Sequence, residues 1–319
     1  MISFRLFTKT FGTHAAVDGL TLEIAAGEAV ALLGPNGSGK TTTLKAAAGL
    51  IRPTAGEVLV GEPGLPADNP RARSVLSFLP QHVAFPESLT GREVVEFYRR
   101  LRGAEPARAD AALTLASLNG ASNRQVATYS GGMVQRLGLA VATLPASPVL
   151  LLDEPTAALD PDGLCAFYGL IERRRAAGQT IFFTSHQLGD AERLADRFAI
   201  LVDGRLAALM TARELSDRLA SRGVLRLRID HEPSGLMERV RDLAPHATRS
   251  GDHLIVPGPA TIRPAVINVV QASGATILGL TAEEGRLDAF YRDLVDERRS
   301  AAHAVMSDSE GSRGGAEGL

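Results

Sequence analysis

The sequence predicts an α/β fold: a largely parallel sheet flanked by helices, with a helical subdomain inserted into it and a small C-terminal α/β domain. Three observations carry this. Short apolar strands alternate with helical stretches from about residue 20 to residue 209, the pattern of strand–helix–strand units. The alternation breaks between residues 90 and 143, where Arg- and Ala-rich stretches keep a helical period, so that block reads as an insertion. After Thr211 the alternation resumes on a smaller scale.

The elements follow in order. Residues 21–24 and 29–33 read as strands around a turn at Gly27-Glu28. A glycine-rich loop leads into a helix that ends near Gly49, with Pro53 closing the exit. Residues 57–60 form a short strand, 61–70 a Gly-, Pro- and Asp-rich loop, and 75–79 another strand. The run Val149-Leu150-Leu151-Leu152 is continuously apolar, as expected of a buried parallel strand. A helix over 161–177 leads to a strand at 180–183, and 190–197 reads as helical. Residues 198–202 and 205–209 form a hairpin around Asp203-Gly204. Strand-like segments at 224–229, 254–256 and 275–280 alternate with helical ones. The expected domains are therefore 1–215, with its helical subdomain at about 82–145, and 216–297. Residues 298–319 lack periodicity and read as a disordered tail.

Composition excludes several classes. Length alone, 319 residues, favours two domains. A net charge of −2 provides no field for nucleic acid or an anionic membrane. The longest apolar stretches, such as residues 137–144, fall well short of the roughly 20 residues that span a bilayer. No secretory signal is visible, and a single cysteine, Cys165, rules out an internal disulfide. These features fit a cytoplasmic protein. Only three lysines occur, Lys9, Lys40 and Lys45, so a lysine within a motif stands out.

One does. Gly34-Pro35-Asn36-Gly37-Ser38-Gly39-Lys40-Thr41 matches the phosphate-binding loop pattern and lies between a strand and a helix. Its glycines let backbone N–H groups converge on phosphate oxygens, and the helix adds its positive end. Lys40 brings a point charge to the β- and γ-phosphates, and the Thr41 hydroxyl suits Mg²⁺. Asn36, Gly37, Ser38, Gly39 and Thr42 complete the expected ATP-binding set. Downstream, the apolar strand at 149–152 ends in Asp153-Glu154. Asp153 suits Mg²⁺ and Glu154 suits a general base acting on water; alone, the pair also fits an acidic strand end. The turn Tyr129-Ser130-Gly131-Gly132-Met133 offers an N-cap and exposed N–H groups at a helix start, a second anion site in one chain, though an ordinary capped helix has the same pattern.

Together these motifs resemble the ABC transporter ATPases over about residues 3–215, in the family's order. The family signature reads Leu-Ser-Gly-Gly-Gln; here Tyr129 and Met133 replace its ends. The resemblance implies that Ser130, Gly131, Gly132, Met133 and Asp160 meet the ATP held by a second copy of the chain. It implies that Phe11 stacks on adenine with Val17 beside it, that Gln81 senses Mg²⁺ and the membrane subunit, and that His186 contacts the γ-phosphate. The implied cofactors are ATP and Mg²⁺. The implied partners are a second copy and an integral membrane permease that places the chain on the inner face of the membrane, with no nucleic acid. The segment from Leu287 to Leu294 resembles the ending of ABC-2-type exporter ATPases. Residues 78–85, 89–93, the Tyr-Ser signature and the C-terminal Phe290-Tyr291 resemble the ATPase that supports copper-site maturation in nitrous-oxide reductase, which adds an extracytoplasmic partner. One cysteine and scattered histidines make no copper cage here, so metal chemistry would belong to the partners. The alternative class is a soluble ABC ATPase outside transport. Its DNA-repair members carry long coiled-coil or zinc inserts, and its ribosome-associated members carry two cassettes per chain; this sequence has one of each motif.

Overall fold

The computed structural model describes residues 1–157, 159–185, 188–283, 290, 291 and 294. The chain divides into two compact units, the first spanning Met1–Met210 and the second beginning at Thr211. The expected tail at 298–319 and most of the 287–294 segment lie outside the described residues.

The first unit runs β1 (Ile2–Phe11), β2 (His14–Ile24), β3 (Ala29–Leu33), α1 (Lys40–Ala47), β4 (Ala55–Val60), β5 (Leu65–Pro66), α2 (Pro70–Ser74) and β6 (Leu76–Leu79). Helices α3 (Gly91–Leu101), α4 (Ala107–Leu115) and α5 (Gly131–Thr143) follow. Then come β7 (Val149–Leu152), α6 (Pro161–Ala176), β8 (Thr180–Thr184), α7 (Leu188–Leu194), β9 (Arg197–Val202) and β10 (Arg205–Thr211). The central sheet has the order β10-β9-β3-β8-β7-β6. Pairs β3–β8, β3–β9, β7–β8 and β6–β7 are parallel. Every residue of β3, β7 and β8 is buried, because helices or a second sheet cover both faces; β3 and β7 accordingly read as unbroken apolar runs, while β8 is closed by Thr180 and Thr184. The turn between β9 and β10 holds Asp203 at φ 48° and Gly204 at φ 74°, the double left-handed turn that suits strand twist.

A second, antiparallel sheet has the order β2-β1-β4-β5. Strand β1 was not expected from the sequence. Ile2, Phe4 and Phe7 are buried, but Leu6 between them is 69% exposed with φ 48°. The pairing with β2 shifts register there, so a bulge breaks the period-two pattern that would have marked the strand. Phe4 packs on Phe182 of the central sheet at 6.0 Å between ring centroids. This joins the two sheets in one core with Leu22, Leu32 and Leu151.

The inserted helices α3–α5 have a core of their own, including Val94, Val95, Leu113, Val126 and Leu137. Thr90 and Glu93 form a reciprocal capping box at the start of α3, which satisfies two otherwise orphaned N–H groups.

The second unit comprises α8 (Ala212–Ala220), β11 (Val224–Ile229), α9 (Leu236–Leu243), β12 (Thr248–Ser250), β13 (His253–Pro257), α10 (Arg263–Ala272) and β14 (Ile277–Glu283). Strand β11 alternates buried Leu225, Leu227 and Ile229 with exposed Arg226 and Arg228. Its buried side meets Val240 of α9 and Val266 and Val270 of α10. From β11 onward the order strand–helix–strand–strand–helix–strand forms a sheet ordered β12-β13-β11-β14, antiparallel throughout. Such a sheet covered on one side shows alternation where the central sheet shows apolar runs.

Candidate functional site

The parallel order β3-β8-β7-β6 brings four strand ends together, the usual place for a ligand in an open α/β sheet. From β3 runs the glycine-rich loop, from β8 Thr184, from β7 Asp153 and Glu154, and from β6 the segment carrying Gln81.

The loop is shaped by its glycines. Gly37 and Gly39 have φ of 82° and 99°, open to glycine at little cost. A side chain at Gly39 would lie 2.3 Å from the Ala16 carbonyl. Lys40 folds back over the loop, its Nζ donating to the Gly34 and Pro35 carbonyls at 2.8 and 2.9 Å. Burial pulls the ammonium below the ordinary lysine value, and the charges of Glu154 and Asp153 oppose that shift. A phosphate here would meet a poorly hydrated cation and the start of α1.

Asp153 is 1% exposed. Its Oδ1 accepts from the Thr184 hydroxyl at 2.7 Å and from the Thr41 hydroxyl at 3.3 Å. Glu154 donates its backbone N–H to Thr184 Oγ1 at 2.8 Å, and its Oε2 accepts from Gln81 Nε2 at 2.8 Å. Thr184 is thus the pivot between the two carboxylates. Sequence reasoning missed it, because its importance comes from strand adjacency and not from any motif. Asp153 Oδ2 and Ser38 Oγ are buried with no hydrogen-bond partner among the described residues. The donor set of Thr41 hydroxyl, Asp153 carboxylate and Gln81 amide is all hard oxygen and fits Mg²⁺; the orphaned Asp153 Oδ2 is the kind of atom a bound cation satisfies.

Ala16, Asn36, Gly37, Gly39, Lys40, Thr41, Thr42, Gln81 and Glu154 line one open cleft of about 490 Å³. Phe11 is 51% exposed, an apolar ring face able to stack on a base, with Lys9 Nζ 5.1 Å from its centroid. Val17 departs from expectation. It is fully buried, and its Cγ2 would meet a side chain at Gly39 at 3.0 Å, so it packs beneath the loop while its neighbour Ala16 lines the cleft. His186 lies outside the described residues; Thr184 and Ser185 just before it are buried.

The turn at Ser130 stands apart. Ser130 Oγ accepts from Met133 N–H at 3.3 Å and caps α5, while Gly131 is exposed. None of residues 130–133 lines the Lys40 cleft. Met133 is half-buried and packs against the core of the insert. Asp160 caps α6 by accepting from Gly163 N–H at 2.9 Å, with Arg136 Nη2 3.8 Å from its Oδ2.

Sheet order, phosphate loop and paired carboxylates define a P-loop ATPase with an inserted helical subdomain. The family model described as ABC transporter matches residues 17–157. The daunorubicin resistance ATP-binding protein DrrA3 of Streptomyces coeruleorubidus is 33% identical over 307 residues, 93% of this chain and 96% of that protein. The Nod factor export ATP-binding protein I of Burkholderia orbicola is 36% identical over 271 residues, 82% of this chain and 88% of that protein. A solved ATP-binding cassette, a dimer in a post-hydrolysis state bound to ADP and Pi, is 28% identical with a TM-score of 0.62, over 67% of this chain and 99% of its own. The chain belongs to the ABC transporter family, as an ATP-binding, ATP-hydrolysing subunit of the exporter type.

Proposed function

We propose that two copies of this chain close on two Mg·ATP and that closure drives a separate membrane-spanning subunit. The observation that supports this best is the division of the machinery within one chain. Lys40, Thr41, Gln81 and Glu154 share a cleft, while the anion-binding turn at Ser130 does not line it. A second copy would supply Ser130, Gly131, Gly132 and Asp160 to the open side. The dimeric state of a similar cassette supports the same arrangement.

In this reading Lys40 and the loop N–H groups neutralise the β- and γ-phosphates, and Phe11 stacks on adenine. Thr41, Asp153 and Gln81 hold Mg²⁺, which when bound offsets charge on the phosphates. Glu154 orients and deprotonates the attacking water, and His186 contacts the γ-phosphate. Phosphoryl transfer asks mainly for positioning and charge compensation, and this site is built of parts for both. The names of the relatives, drug resistance and Nod factor export, support outward movement of cargo. The chain would then sit on the inner face of the membrane, held by its permease.

Glu154→Gln keeps the Gln81 contact but removes the base. The variant is expected to bind Mg·ATP without turnover and to form a stable dimer by light scattering. A monomer at saturating Mg·ATP would count against the two-copy site.

A narrower reading is that the partner system serves the copper site of nitrous-oxide reductase, with an extracytoplasmic partner. It rests on residues 78–85 and the Tyr129 signature. It predicts that cells carrying Glu154→Gln make copper-deficient, inactive nitrous-oxide reductase while total copper uptake stays normal. Equal copper loading and activity in both strains would discard it.

A further inference from the structure

Tyr129 occupies the position before the Ser130 turn, and its surroundings give it a task. The segment leading from Gln81 into α3 and the segment leading into α5 are zipped together. Val126 N–H donates to the Leu89 carbonyl at 2.8 Å, Ala127 N–H to Glu87 at 3.1 Å, and Arg92 N–H to Ser122 at 2.8 Å. Thr90 and Gln125 form an antiparallel bridge between them. Tyr129 closes this ladder. Its hydroxyl donates to the Ala121 carbonyl at 2.8 Å, and its ring lies against Gly91, where a Cβ would stand 2.2 Å from the hydroxyl. Gly91 is the first residue of α3 and has an ordinary backbone, so its missing side chain answers to the tyrosine and not to φ. Burial raises the Tyr129 hydroxyl above its ordinary value, which keeps it a neutral donor.

Six residues before Glu87, where the ladder begins, lies Gln81, whose amide binds Glu154 in the cleft. The Ser130 turn follows Tyr129 directly. Between Gln81 and the turn, Phe85, Leu89 and Tyr129 all pack on the core of the insert, a route by which a displacement at Gln81 can reach the turn.

We propose that Tyr129 is a positioning residue: through its hydroxyl bond to Ala121 and its packing on Gly91 it makes the Gln81 segment and the Ser130 turn move as one body, so that filling one cleft sets the turn offered to the partner. This rests on the two-copy reading above.

The experiment uses the full chain in a Glu154→Gln background. Tyr129→Phe removes only the hydroxyl, and Gly91→Ala displaces it. Each is expected to weaken ATP-dependent dimerisation about fivefold, the scale of one lost hydrogen bond. Nucleotide affinity of the monomer should stay unchanged and the melting temperature should fall by no more than the few degrees that one hydrogen bond carries, whereas a merely structural role would lower monomer affinity together with stability. Combined, the two changes should be no worse than either alone, since both act on one contact. Wild-type dimerisation in both variants, strict additivity, or parallel loss of monomer affinity would overturn the proposal. Failure of the Glu154→Gln parent to dimerise would overturn the two-copy reading first, and this inference with it.

Discussion

Glu154 holds a left-handed backbone, φ 46°, which costs a residue with a side chain on the order of 1–3 kcal/mol. The conformation persists because its N–H is bound by Thr184 and its carboxylate by Gln81. Strain fixed in this way aims the carboxylate into the cleft beside Lys40. Lys40, Thr41, Asp153 and Glu154 were legible in the sequence, because phosphate loops and carboxylate-tipped strands are local patterns. Thr184 and Ala16 were not, since each enters the site from a strand outside the motifs, Thr184 from β8 and Ala16 from β2 of the antiparallel sheet. Val17 is buried while its neighbour Ala16 lines the cleft, because along a strand one residue exchanges one side for the other. Lys40 carries the plainest residue-scale prediction. Its Nζ bonds only to carbonyls of its own loop among the described residues. Lys40→Ala should therefore weaken ATP binding about tenfold or more, by fluorescent-nucleotide titration, and leave the melting temperature within about 2–4 °C. Unchanged binding in a folded variant would remove Lys40 from the site.

At the scale of elements, legibility followed burial. Strands β3 and β7, buried on both faces, announced themselves as apolar runs, and β8 carried one at residues 181–183. The bulged β1 and the five-residue α2 did not, because each is too irregular or too short to hold a period. In the second unit, strand β11 was clear, but the antiparallel sense of its sheet was not, since alternating strand and helix patterns fit either sense. One joint in that sheet is testable. Asp230, just past β11, accepts from Thr276 N–H and from His231 N–H, each at 2.8 Å. The Thr276 bond leads in holding its carboxyl at about 2, below the ordinary 3.8. A carboxylate depressed by folding contributes stability at every pH above its unfolded value, and loses it as pH falls through the interval between the two. Asp230→Ala should thus melt lower than wild type at neutral pH, with the gap closing as pH drops from about 4 to about 2. A gap that stayed constant across that range would show that the bonds to Asp230 add nothing through its charge.

At the scale of the whole molecule, chemistry depends on adjacency that no local pattern reveals. Thr41 and Asp153 are 112 residues apart and joined by a hydrogen bond; Gln81 and Glu154 are 73 apart and likewise joined. The parallel sheet creates both meetings by placing the ends of β3, β8, β7 and β6 side by side. The proposed two-copy site would extend the same logic past one chain, because the Ser130 turn does not line the Lys40 cleft of its own chain. The most direct test of that claim mixes two inactive full-length variants. Lys40→Ala damages the cleft, and Ser130→Trp damages the turn offered to the partner. In a mixed pair one composite site carries both lesions and the other carries none. Phosphate release from ATP should be absent with either variant alone and should return in the mixture at a measurable fraction of the wild-type rate. A mixture as inactive as its components, with both variants folded, would contradict a site shared between two copies.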